Sequence, residues 1–134
     1  MTESADVELR LPADGAYASV LRTTTAALAA RLDFTIDDIE DLRMAVAEAT
    51  ALVLEVADEG SDLVSSFGLR TGEMTVSVSV GARAPGEPDY DSFAWQVLTT
   101  LSTSAKVEAT GGRFSVTMTM TSTATGPATS EADA

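Results

Sequence analysis

Between Ile36 and Ala57 the chain reads IDDIEDLRMAVAEATALVLEVA, a run without proline or glycine and rich in strong helix formers. No other stretch constrains the fold as much. Ile39, Leu42, Val46, Ala49, Val53 and Val56 recur at alternating spacings of three and four, which places them on one stripe of a helix facing a core. Thr35 stands where an N-cap belongs, with Asp38 three residues on, and the acids that follow have the right sign for the positive end of the helix dipole. Asp37, Asp41, Met44, Glu48, Leu52 and Glu55 fall about half a turn from the core stripe. A methionine and a leucine among carboxylates do not belong on a merely solvated face, so this face is a candidate for function.

The flanking sequence gives this helix a sheet to cover. Val7, Leu9 and Leu11 alternate with Glu8 and Arg10, a half-buried strand ended by Pro12. Asp14 caps a predicted helix over Ala16 to Leu32. After the long helix, Asp58 to Asp62 is a turn, and strands over Leu63 to Leu69 and Met74 to Val80 flank the turn Arg70-Thr71-Gly72-Glu73 as a hairpin. A third helix over Ser92 to Leu101 places Phe93, Val97 and Leu101 on one side with Trp95 and Leu98 beside them, and core packing is the expected role of Trp95. Ala105 to Glu108 reads as a short strand, and Phe114, Val116, Met118 and Met120 alternate with hydroxyl residues in a last one. No internal repeat is present.

Bulk properties narrow the function. A length of 134 residues suits one domain with a single core, and 45% hydrophobic with 22% charged residues is a globular composition. A net charge of −13 argues against direct contact with nucleic acid, which needs a basic face, while suiting the capture of a basic protein. With no cysteine and no histidine there is no disulfide framework, thiolate or imidazole ligand, and no metal site is expected. The N-terminus lacks an apolar signal core and no run approaches a membrane span, so a soluble cytoplasmic protein with no membrane contact is expected.

The motif D-L-R-x-A-V-x-E-A-T, Asp41 to Thr50, resembles the N-box helix of the GHKL ATPase superfamily, specifically that of its anti-sigma-factor serine kinases of the RsbW type. The segment L-x-x-x-L-D, Leu28 to Asp33, fits the same family. The S-F-x-W-x-V-L-T-x-L pattern from Ser92 to Leu101 resembles its shortened, lid-less actinobacterial members. The resemblance implies a Glu that activates the reaction, matched by Glu48. It also implies an Asn one turn later that holds the magnesium ion of ATP. Leu52 stands there, and a leucine offers no ligand oxygen to a hard cation. Where the family has a D-x-G-x-G box, a long lid and a second glycine box, this chain has Gly81 to Asp91, with two prolines and three acids. Prolines remove amide donors and acids repel a triphosphate.

Arg22 aligns with an arginine of the first helix that, in the family, contacts both the sigma factor and its antagonist. The resemblance implies a partner-binding set of Arg22, Ser19, Thr23 and Thr25, although the acidic position one turn earlier is Ala18 here. A solvated arginine on a polar helix face is the plainer reading.

The expected fold is an α/β two-layer sandwich of the Bergerat or GHKL kind, a mixed sheet with three helices on one face. Residues 1–5 form a polar lead, 6–121 the domain and 122–134 a disordered tail. The expected function is an anti-sigma factor that occludes an alternative sigma factor of stress or development type. A STAS-domain anti-anti-sigma protein would release it, and a homodimer is left open. No enzymatic activity and no cofactor are expected. Two alternatives stand: an active ATP-dependent serine/threonine kinase acting on the anti-anti-sigma protein, or a regulator sensing a metabolite through the remaining pocket.

Overall fold

A computed structural model of the chain describes residues 5–125; most of the predicted polar lead and the tail from residue 126 lie outside them. The elements are β1 (Val7–Pro12), α1 (Ala18–Ala29), α2 (Ile36–Val56), β2 (Asp62–Arg70), β3 (Glu73–Gly81), α3 (Phe93–Leu101), β4 (Ser104–Thr110) and β5 (Arg113–Thr121). A 3-10 turn over Gly15–Tyr17 leads into α1, capped by the Asp14 side chain as expected, and another over Thr123–Thr125 follows β5.

The sheet order is β1-β2-β3-β5-β4. Every pairing is antiparallel, where a mixed sheet was expected. The reason lies in the crossover. β3, α3 and β4 make a connection that returns β4 in the direction of β3, but β5 inserts between them and pairs with both. No parallel neighbours are left, although the α/β two-layer plan with three helices stands.

On β3 the alternation is complete. Met74, Val76, Val78 and Val80 are fully buried, and Phe114, Val116, Met118 and Met120 lie beside them on β5. The opposite face is polar, with Ser77 bonded to Thr117 and Thr75 to Thr119 across the strands. α2 lies over the buried face between α1 and α3. Its stripe of Leu42, Ala45, Val46, Ala49 and Val53 is fully buried, and Ile39 and Val56 close the two ends partly covered.

α2 starts with a capping box: Thr35 Oγ1 accepts from the Asp38 amide at 3.0 Å, and the Asp38 carboxylate accepts from the Thr35 amide at 3.2 Å. The same carboxylate reaches beyond β5. Ser122 and Thr123 donate to it, and a 3-10 turn over Thr123–Thr125 follows.

Candidate functional site

α2 sets the geometry because its buried stripe fixes which residues point away from the sheet. Glu48 and Leu52 are half-buried, Asp41 likewise, and Asp37, Met44 and Glu55 are exposed. Glu48, Leu52 and Glu55 recur at one-turn spacing and form one wall of a cavity of about 490 Å³. The facing wall comes from the loop after β3 and the start of α3, with Pro85, Glu87, Pro88, Asp89, Tyr90, Phe93 and Trp95. Val107 and Phe114 close it from the sheet.

α3 differs from expectation at its first turn. Ser92 caps it, accepting from the Trp95 amide at 3.1 Å, and Leu98 is the fully buried contact. Phe93, expected on one side with Val97 and Leu101, does not share their cover and is 75% exposed at the mouth of the cavity. Residue 93 comes a turn and a half before Leu98, so it faces away from the position that Leu98 fixes toward the core. Trp95 is half-buried and packs against the core edge, with the Tyr90 ring edge-on at 5.2 Å between centroids. Core packing therefore describes only one side of Trp95; the other lines the cavity. Glu55 belongs to the α2 face read from the sequence as a candidate for function, whereas Glu87, Asp89 and Tyr90 were not singled out as site residues.

Magnesium-ATP, which the family resemblance implies, does not match these residues. Leu52 presents hydrocarbon, Pro85 and Pro88 have no amide hydrogen, and Glu48, Glu55, Glu87 and Asp89 bring negative charge with no basic residue among the lining. Among the described residues no group of three or more acidic side chains is arranged to hold a metal ion.

The predicted partner-binding residues divide. Ser19 and Thr23 are exposed on α1, alongside Tyr17 at its start and Val20, which are 40% and 42% exposed. Arg22 is half-buried about one turn from Ser19 on the same helix, and among the described residues it makes no ion pair. Thr25 is a correction. It is fully buried, one turn from Leu21 and Ala29 on the core side, and its hydroxyl donates to the Leu21 carbonyl at 2.8 Å. It has no surface to offer a partner.

No family model matches the chain. A serine-protein kinase RsbW of Halalkalibacterium halodurans is 40% identical over 74 residues, 54% of this chain and 46% of that protein. RsbW of Bacillus velezensis is 37% identical over 83 residues, 59% of this chain and 52% of that protein. The match spans about half the length of these curated relatives. Among solved structures, the RsbU and RsbW domains of a Mycobacterium tuberculosis protein superpose with a TM-score of 0.68 at 20% identity, covering 87% of this chain and 31% of that one. The histidine kinase domain of a blue-light activated kinase from Erythrobacter litoralis gives 0.55 at 14% identity over 90% of this chain and 65% of that one. At those identities the two structures speak to fold alone.

The relatives overturn one expectation. The chain was expected not to be an enzyme, yet the proteins it matches in sequence are named serine-protein kinases. No helix among the described residues is long and apolar enough to cross a membrane. Over about half its length the chain is similar in sequence to RsbW serine-protein kinases, and over most of it the chain shares the fold of the solved RsbU and RsbW domains.

Proposed function

We propose that the chain is a partner-switching regulator of the RsbW kind, which holds an alternative sigma factor and gives it up to a STAS-domain antagonist. The match to RsbW kinases over half the chain carries this reading. The α1 surface supports this reading: Ser19 and Thr23 are exposed, Tyr17 and Val20 add apolar area, and Arg22 makes no ion pair among the described residues. Arginine and tyrosine are the residue types that most often dominate interfaces. The net charge of −13 supports a basic partner by steering its approach and discriminating against nucleic acid.

The test is capture from native lysate followed by titration of the purified partners. A sigma factor should be retained, and a STAS-domain protein should displace it. Retention of neither class refutes the reading.

A second reading is favoured by the names of the relatives: the chain phosphorylates a serine of its antagonist. Glu48 is the residue matched to the family's activating Glu. Incubating the chain with the STAS-domain protein and ATP, then mapping modified residues by mass spectrometry, tests this directly. A phosphoserine that depends on the chain establishes the activity, and an unmodified antagonist refutes it.

A further inference from the structure

The cavity beside α2 has walls that suit neither a phosphate nor a metal ion, yet they share a consistent chemistry. Trp95 and Tyr90 form an aromatic corner, with the rings 73° apart and their centroids at 5.2 Å. Around it stand Glu48 and Glu55 from α2 and Glu87 and Asp89 from the loop before α3. None of the chain's eight basic residues lines the cavity, and the four ion pairs of the described residues all lie elsewhere. These carboxylates therefore have no internal counter-charge.

We propose that this cavity binds a small organic cation: an ammonium group carried on an apolar or aromatic body. About 490 Å³ lies within the range of small-molecule sites. The aromatic faces attract a cation through their ring quadrupoles, best when it is partly desolvated against indole. The carboxylates fix the sign of the charge, while the Leu52 and Val56 side chains receive the apolar body. A compact metal ion is a poorer occupant, because no three acidic groups converge to hold one. A free carboxylate or phosphate would meet four like charges. Exposed carboxylates individually contribute little, so selectivity rests on charge and aromatic contact acting together. This inference does not rest on the partner-switching reading, and either can fail alone.

Trp95 is the only tryptophan in the chain and reports occupancy directly. The intact chain is titrated at low salt with 2-phenylethylammonium, 2-phenylethanol and 3-phenylpropanoate, which share a body and differ in charge, while tryptophan emission is followed. The ammonium should give a saturable change, with affinity at least about tenfold above the alcohol, and the carboxylate should give none. Glu48→Gln/Glu55→Gln should weaken the ammonium about tenfold without altering its response to the alcohol. Glu87→Gln, on the opposite wall, provides a second variant should the helix pair disturb folding, and thermal melts identify such a disturbance. The proposal is overturned if the ammonium gives no saturable change, if the alcohol or carboxylate binds as tightly, or if the folded variants bind the ammonium like the parent.

Discussion

Asp38 and Thr123 are joined across most of the chain by three hydrogen bonds. The Thr123 amide donates to Asp38 Oδ2 at 3.0 Å, and the Thr123 hydroxyl reaches Oδ2 at 3.0 Å and Oδ1 at 3.2 Å. The Ser122 hydroxyl lies 3.2 Å from the same Oδ2. One carboxylate thus caps α2 and ties the segment after β5 to the helix that lines both the sheet and the cavity. Burial opposes the charge on Asp38. The amides and hydroxyls of Thr123 and Thr35 outweigh it, holding the carboxyl below its ordinary value of 3.8.

Asp38→Asn should lower stability by about 2 kcal/mol, because amide donors that now meet a carboxylate would face an NH₂ group or a weaker acceptor. The pH dependence has a definite sign. A depressed folded-state pKa contributes stability that is present above the unfolded value near 4 and lost as pH falls through the folded value. The stability gap between parent and variant in urea melts should therefore be full at pH 6 to 7 and shrink below about pH 4. A gap that is constant or widens in acid contradicts the role assigned to this carboxylate.

Gly72 occupies the β2–β3 turn with φ 78°, in the left-handed region, and works as a second tie. Its amide donates to the Leu32 carbonyl at 2.8 Å, and its carbonyl accepts from the Ser122 amide at 2.8 Å. Any side chain here must adopt a backbone conformation that costs about 1–2 kcal/mol. Gly72→Ala should lower the unfolding free energy by about that amount, as a shift in denaturant midpoint without a change in slope. An unchanged midpoint means that the turn relaxes freely.

The sequence made the local part of this arrangement visible. Thr35 and Asp38 at cap spacing announced the start of α2, and the period of two in Met74 to Val80 announced β3. Neither pattern contains the partner of the second Asp38 bond, since nothing local distinguishes Thr123 from the hydroxyl residues around it. Sheet order was hidden for the same reason: the insertion of β5 between β3 and β4 is a long-range choice. At the site, the spacing of Glu48, Leu52 and Glu55 was readable. Grouping Phe93 with Val97 and Leu101 did not reveal its exposure, because the pattern alone does not show that Leu98 is the residue turned fully to the core.

Thr25 separates surface from core on α1. Its hydroxyl is satisfied by Leu21 and fully enclosed, so Thr25→Val should leave partner affinity unchanged and alter stability by less than about 1.5 kcal/mol. The measurement pairs a thermal melt with titration of the sigma factor. A selective loss of binding in a normally stable variant would place Thr25 at the interface, against its burial.

Arg22 offers the sharpest test of the α1 surface. It is half-buried, makes no ion pair among the described residues, and stands beside exposed Ser19 and Thr23. Arg22→Ala removes a guanidinium that anchors no other described side chain, and alanine is the better helix former, so the fold should be retained. At an interface centre, truncating such an arginine costs more than about 2 kcal/mol, which is roughly a thirtyfold loss of affinity, whereas a rim arginine costs little. The variant should therefore lose at least that factor toward both the sigma factor and the STAS-domain antagonist, with its melting temperature unchanged. Equal affinities for parent and variant would make Arg22 an ordinary solvated side chain and move the interface off this helix. Loss toward one partner alone would mean that the two occupy different surfaces. Release would then proceed through a change in the chain rather than by direct competition at α1.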